Sequence, residues 1–250
     1  VAMFESGSII PYITAGDPSV RATLGFLEAV AEYSGAIELG VPFSDPMADG
    51  KTIQASHERA LRGGFKLEEL FPLVKAFRRN YDTPIVLMTY YNPVYRTGVK
   101  EFLGSAKASG VDGILVVDLP VSHAGELLET AREEGIKTVF LAAPNTPDER
   151  LKEICRASTG FVYLISLYGT TGAREEISKT AFQLLRRARR LCTRKLAVGF
   201  GVSRREHVER LLQSGADGVV VGSALIRLIE EHGERAAPLL REKVRELSGL

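Results

Sequence analysis

The stretch Ser214-Gly215-Ala216-Asp217-Gly218-Val219-Val220-Val221-Gly222-Ser223-Ala224 compresses a helix end, a strand and the entry to another helix into one short passage. Gly215 suits the left-handed position that closes a helix. The run of valines is apolar at every position, as in a strand covered on both faces, which is the habit of parallel sheets. Gly222-Ser223 then turns the chain into the next helical pattern. Ser109-Gly110-Val111-Asp112-Gly113 repeats the motif, and Ser34-Gly35-Ala36 echoes it more faintly. Such wide intervals fit repeated strand–helix units rather than a short-period solenoid.

Outward from that motif, apolar β-branched runs at 8–13, 36–39, 84–89, 113–117, 138–142, 160–165, 196–199 and 218–221 alternate with amphipathic segments. Asp17 is expected to cap the first helix with Pro18 at its first position, ahead of Val20, Leu24, Leu27 and Val30 on one face. Capping boxes are expected at Thr146-Pro147…Glu149 and at Ser203…Glu206, the latter before the stripe Val208, Leu211 and Leu212. Residues 234–247 read as a last helix with Ala237, Leu240 and Val244 on its apolar face. The fold class is therefore α/β, a (β/α)8 TIM barrel, with residues 1–250 forming a single domain. A doubly wound open sheet is the main rival. The first strand starts so early that any helix plugging the barrel floor is very short or missing.

Composition narrows the function. Thirty-two basic and 31 acidic side chains nearly cancel, so nothing in the charge balance argues for a polyanionic partner such as nucleic acid, and none is expected. Cys155 and Cys192 make no disulfide framework, and the four histidines show no metal-ligand spacing. With no signal peptide and no membrane-length apolar run, a cytoplasmic location is the default expectation. Three asparagines and three glutamines in 250 residues fit a hot-growing source.

In a barrel, chemistry sits at the carboxyl ends of the strands. Glu38 interrupts the apolar run Ala36-Ile37-Glu38-Leu39, where a carboxylate must be paired or used. Its bland reading is a structural carboxylate bonded to a neighbouring strand or a tyrosine; its functional one is an acid–base group whose pKa burial raises towards neutrality. The loop Gly40-Val41-Pro42-Phe43-Ser44-Asp45-Pro46-Met47-Ala48-Asp49-Gly50 brings Asp49 and Asp45 to the rim. Glycines follow the last three strands in Gly169-Thr170-Thr171-Gly172, Gly199-Phe200-Gly201 and Gly222-Ser223. Backbone amides there, after strands 7 and 8 above all, suit a small phosphate ester. Tyr12, Met88, Leu115, Phe200 and Leu141 are candidates to wall a flat aromatic group, each with plain core as its alternative. Tyr163 offers a hydroxyl to Glu38 or a substrate, Thr89-Tyr90-Tyr91-Asn92-Pro93 a surface for a ligand or partner, and Asp118 equally a loop anchor or a reacting group.

These residues resemble one family, the tryptophan synthase alpha subunit. Pro11-Tyr12-Ile13-Thr14-Ala15-Gly16-Asp17-Pro18, the whole stretch from Glu38 to Gly50, Gly199-Phe200-Gly201-Val202-Ser203 and Gly222-Ser223-Ala224 carry the likeness, which extends over nearly the entire chain. It implies a carbon–carbon lyase that cleaves indole-3-glycerol phosphate to indole and glyceraldehyde 3-phosphate. By the same resemblance Glu38 is the catalytic acid–base and Asp49 holds the indole N–H. Tyr12, Met88, Leu115, Tyr163 and Phe200 match the indole pocket, while Gly172, Gly201, Gly222 and Ser223 match the phosphate site. Thr171 matches the residue that closes a lid, here 166–174, against Asp49. Pro42, Asp45, Pro46, Asn92 and Pro93 are expected to face a beta subunit in an alpha2beta2 assembly; pyridoxal phosphate belongs to that partner, and this chain carries no cofactor and no metal. Lys51 stands where the family commonly has proline, and Leu167-Tyr168 where it has arginine and a small residue. The alternatives are indole-3-glycerol phosphate synthase, which calls for a rim lysine absent here since Lys195 precedes its strand at the wrong face, and a non-catalytic docking barrel.

Overall fold

A computed structural model describes residues 3–166 and 178–250. The chain runs β1 Ser8–Thr14, α1 Val20–Ala31, β2 Ile37–Gly40, α2 Lys51–Arg62, α3 Leu70–Phe77, β3 Ile85–Thr89, α4 Tyr91–Thr97, α5 Val99–Ser109, β4 Gly113–Val116, α6 Gly125–Glu134 and β5 Lys137–Ala142. It continues α7 Asp148–Ala157, β6 Val162–Ile165, α8 Lys179–Leu191, β7 Leu196–Gly199, α9 Arg205–Gln213, β8 Gly218–Val221, α10 Ser223–His232 and α11 Ala237–Ser248. All neighbouring strands are parallel, and β1 pairs with β8 to close a TIM barrel, which removes the open-sheet rival. The expected bounds of β7 and β8 are met at both ends, and the other strands differ by at most two residues at an end.

The repeated Ser-Gly-x-Asp-Gly motif has a physical job. Gly110 and Gly215 take left-handed conformations at φ 96° and 102°. Asp112 then accepts the amide of Ile85 at 2.8 Å and pairs with Arg78, whose Nε donates to the Gly110 carbonyl at 2.8 Å. Asp217 does the same with the amide of Leu196 at 2.9 Å and with Arg189, whose Nε donates to the Gly215 carbonyl at 3.1 Å. Each aspartate thus ties the start of its strand to the start of the preceding one. Gly35 departs from the pattern: its φ is not positive, and it is glycine because a Cβ there would meet the Ser8 side chain at 2.2 Å.

Three expected caps are corrected. Ser19, not Asp17, caps α1, its Oγ accepting the amide of Ala22 at 3.1 Å. The fully buried Asp17 instead accepts both Nε and Nη2 of Arg59 on α2, at 2.9 and 2.8 Å. Helix α7 starts one residue after Pro147 with no side-chain cap; the Thr146 hydroxyl turns back to the amide of Ala143. Helix α9 is entered through Arg204, also without a side-chain cap, so Ser203 and Glu206 form no box. Of the expected stripes, Leu27, Val30, Val208, Leu211, Leu240 and Val244 are buried, while Val20, Leu24, Leu212 and Ala237 are half-buried at the margins.

The cysteines supply another correction. Cys155 on α7 and Cys192 after α8 form a disulfide with Cα atoms 5.6 Å apart. Two cysteines 37 residues apart give no spacing signal for such a bond, but the packing of α7 on α8 brings them together. Intracellular proteins of hot-growing organisms do use such bonds.

Inside the barrel Ile10, Ala36, Val86, Leu115, Val139 and Val220 form one apolar cluster, while a second lies between strands and helices. Met3 and Phe4 belong to the inner cluster, and Phe4 meets Phe161 edge-on at 5.4 Å. Among the described residues, these two side chains plug the floor. Phe4→Ala is therefore expected to lower stability by about 3–5 kcal/mol, readable as a shifted denaturant midpoint; an unchanged midpoint would show that the floor needs no plug.

Candidate active site

At the carboxyl ends of the strands lies a cavity that opens to solvent at its mouth. Tyr12, Glu38, Asp49, Met88, Leu141, Tyr163, Gly201, Gly222 and Ser223 line it. Leu115 and Phe200 do not: Leu115 sits fully buried in the inner cluster, and Phe200 is buried in the same apolar cluster as Tyr12. Gly172, Thr171 and the segment 167–174 of the expected lid lie outside the described residues. Ser166, the first residue of the expected lid, lines the cavity as well, as do Ala48, Ile53, Val117, Ile165, Val202 and Val220, to which the sequence assigned no individual role.

Glu38 is held by β2, in register with Tyr12 on β1 and Val86 on β3. It is completely buried, and neither carboxyl oxygen has a hydrogen-bond partner. The bland reading fails here, since no strand and no tyrosine satisfies it. Burial, reinforced by the negative charge of Asp49, pushes its pKa up to about 8. A buried acid that holds its proton near neutrality and has nothing in the protein to give it to is poised for a ligand.

Asp49 comes from the loop between β2 and α2. Its turn is built by the amide of Asp49 donating to the Pro46 carbonyl at 3.1 Å and by Gln54 Nε2 donating to the Asp49 carbonyl at 2.8 Å. Burial raises the carboxyl pKa to about 6, against the pull of a hydrogen bond from Tyr90. That bond, from the Tyr90 hydroxyl to Oδ2, is 2.6 Å long, and the same hydroxyl accepts the amide of Ala48 at 3.0 Å. The sequence placed Tyr90 at the end of its strand but not against Asp49. Removing its hydroxyl takes away a donor to the charged carboxylate, so Tyr90→Phe is expected to move the Asp49 titration, followed by NMR, upward from about 6; an unmoved titration would mean that the bond is not formed in solution.

Two tyrosines lean over glycines. A Cβ on Gly40 would come within 2.1 Å of the Tyr12 hydroxyl, and one on Gly199 within 2.3 Å of the Tyr163 hydroxyl. Burial first, then nearby carboxylate charge from Asp49 for Tyr12 and from Glu38 for Tyr163, raises both phenol pKa values, so both stay neutral. Beside Tyr12, Gly222 and Ser223 lead into α10, whose first amides have no partner within the helix. Gly201 bends at φ 75° beside them. The cavity therefore joins an acid pair, an apolar wall and a helix end with anion-binding character.

At the rim Asp45 and Asn92 are exposed and Pro46 and Pro93 half-buried, whereas Pro42 is buried within the chain. Among the described residues Met47 and Tyr95, 85% and 70% exposed, are the large apolar side chains that face outward there. Asp118 accepts the amide of Tyr91 at 2.7 Å and so anchors α4. Among the described residues no group of side chains forms a metal site, and no helix is long and apolar enough to cross a membrane.

Comparison with known proteins agrees with this arrangement. The family described as tryptophan synthase alpha chain matches residues 3–248. The tryptophan synthase alpha chain of Pyrococcus abyssi is 74% identical, covering 99% of this chain and all of the relative. That of Thermococcus kodakarensis is 72% identical, covering 99% and 98%. In a structure of the tryptophan synthase α2β2 complex from the hyperthermophile Pyrococcus furiosus, one chain matches with a TM-score of 0.96 at 70% identity, covering 99% of this chain and 100% of that one. A barrel with this site and these full-length likenesses belongs to the tryptophan synthase alpha chain family.

Proposed function

We propose that this chain cleaves indole-3-glycerol phosphate to indole and glyceraldehyde 3-phosphate by a retro-aldol route in which Glu38 and Asp49 divide the work. The full-length family membership supports the reaction, and the buried, unpartnered, proton-holding Glu38 is the observation that carries the assignment of roles. Glu38 gives its proton to the indole ring carbon that bears the glycerol phosphate chain. The ring becomes a cationic indolenine, and the Asp49 carboxylate at the ring nitrogen stabilises that charge. The Glu38 carboxylate then takes the proton of the neighbouring side-chain hydroxyl. As the carbonyl forms, the carbon–carbon bond breaks and its electron pair restores the aromatic ring. Glu38 ends protonated as it began, so no cofactor is required of this chain.

The phosphate is assigned to the amides around Gly201, Gly222 and Ser223 at the α10 end, and Tyr12, Met88 and Tyr163 to the indole. Residues 1–250 act as one barrel domain. By likeness to the Pyrococcus furiosus α2β2 complex, the rim around Asp45, Met47, Asn92 and Tyr95 is assigned to a beta subunit that holds pyridoxal phosphate and takes up the indole. A cytoplasmic location and a heat-stable protein complete the reading. Indole release from indole-3-glycerol phosphate, with and without the beta partner, tests it: release that rises with partner is expected, and none under any condition would end the lyase reading.

A further inference from the structure

His57 on α2 is 3% exposed and has a partner on each ring nitrogen. The amide of Phe43 donates to Nδ1 at 3.1 Å, and Nε2 lies 3.1 Å from the Tyr12 hydroxyl. A backbone amide only donates, so Nδ1 must offer its lone pair. The single proton of the neutral ring is then on Nε2, donated to the Tyr12 oxygen. Burial lowers the His57 pKa to about 4, which keeps this tautomer in place wherever Glu38 and Asp49 titrate.

The two partners come from different elements, and one of them, Tyr12, lines the cavity. Phe43 belongs to the loop that carries Asp49. Its ring stacks on Tyr90 with centroids 5.0 Å apart, and the Tyr90 hydroxyl holds Asp49 at 2.6 Å. Tyr12 stands on β1 and forms part of the cavity wall. A continuous line of contacts therefore runs Tyr12–His57–Phe43–Tyr90–Asp49. We propose that His57 is a positioning residue, which by gripping the Phe43 amide and the Tyr12 hydroxyl together sets the loop, and so the Asp49 carboxylate, against the indole-binding wall. This rests on the reading that Asp49 acts at the indole nitrogen. A histidine that only filled the core would have no reason to connect these two partners.

The test is a cycle of variants assayed for cleavage in the complex with the beta subunit. His57→Leu removes both contacts, while His57→Asn keeps an acceptor near the Nδ1 position and loses the reach to Tyr12. His57→Leu is expected to lower kcat by roughly 30- to 100-fold and His57→Asn by roughly three- to ten-fold, the scale of a carboxylate displaced by about an ångström. In an Asp49→Asn background the same His57 substitutions should cost under about three-fold, since the carboxylate they position is gone. Equal losses in both backgrounds, or a His57→Leu enzyme with unchanged kcat, would overturn the proposal. Should His57→Leu not fold, the cycle is read from His57→Asn by the same criteria. If Asp49→Asn alone left cleavage intact, the role of Asp49 would fall, and that result is distinct from a failure of the cycle.

Discussion

Glu38→Gln is expected to lower kcat for indole-3-glycerol phosphate cleavage by about 10²- to 10⁴-fold, the range a positioned general acid–base contributes. Glutamine fills the same space but has no proton to deliver to the ring and no charge with which to take one from the hydroxyl. The effect should fall on kcat, because the phosphate end and the apolar wall are untouched. Stability should move the other way. The folded-state pKa of Glu38 is raised from its ordinary value to about 8. A raised carboxyl pKa leaves stability intact below the unfolded-state value and erodes it as pH climbs towards the folded one. The variant lacks that titration. It should match the parent in thermal unfolding near pH 4 and exceed it near pH 9. A variant that loses activity and stability together would instead mark Glu38 as structural.

Asp49→Asn is the second large effect, with an expected kcat loss of about 10²- to 10³-fold, as when one preorganised electrostatic group is removed. The amide keeps an oxygen for the Tyr90 hydroxyl, so the loop between β2 and α2 should stay in place. What disappears is the negative charge facing the ring nitrogen as the indolenine forms. Removing that charge should also make Glu38 easier to ionise, because Asp49 is the second cause of its raised pKa after burial. The alkaline fall in activity should therefore begin at lower pH in the variant than in the parent. An Asp49→Asn enzyme with full kcat and an unmoved alkaline limb would remove Asp49 from the mechanism.

The barrel was legible because its strands are covered on both faces. Unbroken apolar runs such as Gly218–Val221 stand out in the sequence, and the Ser-Gly-x-Asp-Gly motif marks where two of the units restart. Glu38 was legible for the opposite reason, as a charge where the pattern demands none. The caps were misread because a local rule competes with distant partners. Asp17 has the composition of a cap, but Arg59, 42 residues further on, claims both of its oxygens. The same holds for pairs that only the closed barrel creates. Nothing near Tyr90 in the chain points to Asp49, nothing near His57 points to Tyr12, and Cys155 and Cys192 meet only once two helices pack. Pro42 shows the limit of loop composition, since a proline expected at an outward-facing rim is buried, while Met47 five residues later is exposed.

The acid–base pair is the centre of this account, and the pH dependence of kcat/KM for indole-3-glycerol phosphate tests it most directly. Asp49 must be ionised, so activity should rise with pH through about 6. Glu38 must hold its proton, so activity should fall as pH passes about 8. The two limbs belong to the pair, with Asp49 giving up its proton first, and together they predict a bell with its maximum near neutrality. A profile that keeps climbing beyond pH 8, with no descending limb, would contradict the assignment of Glu38 as the proton donor.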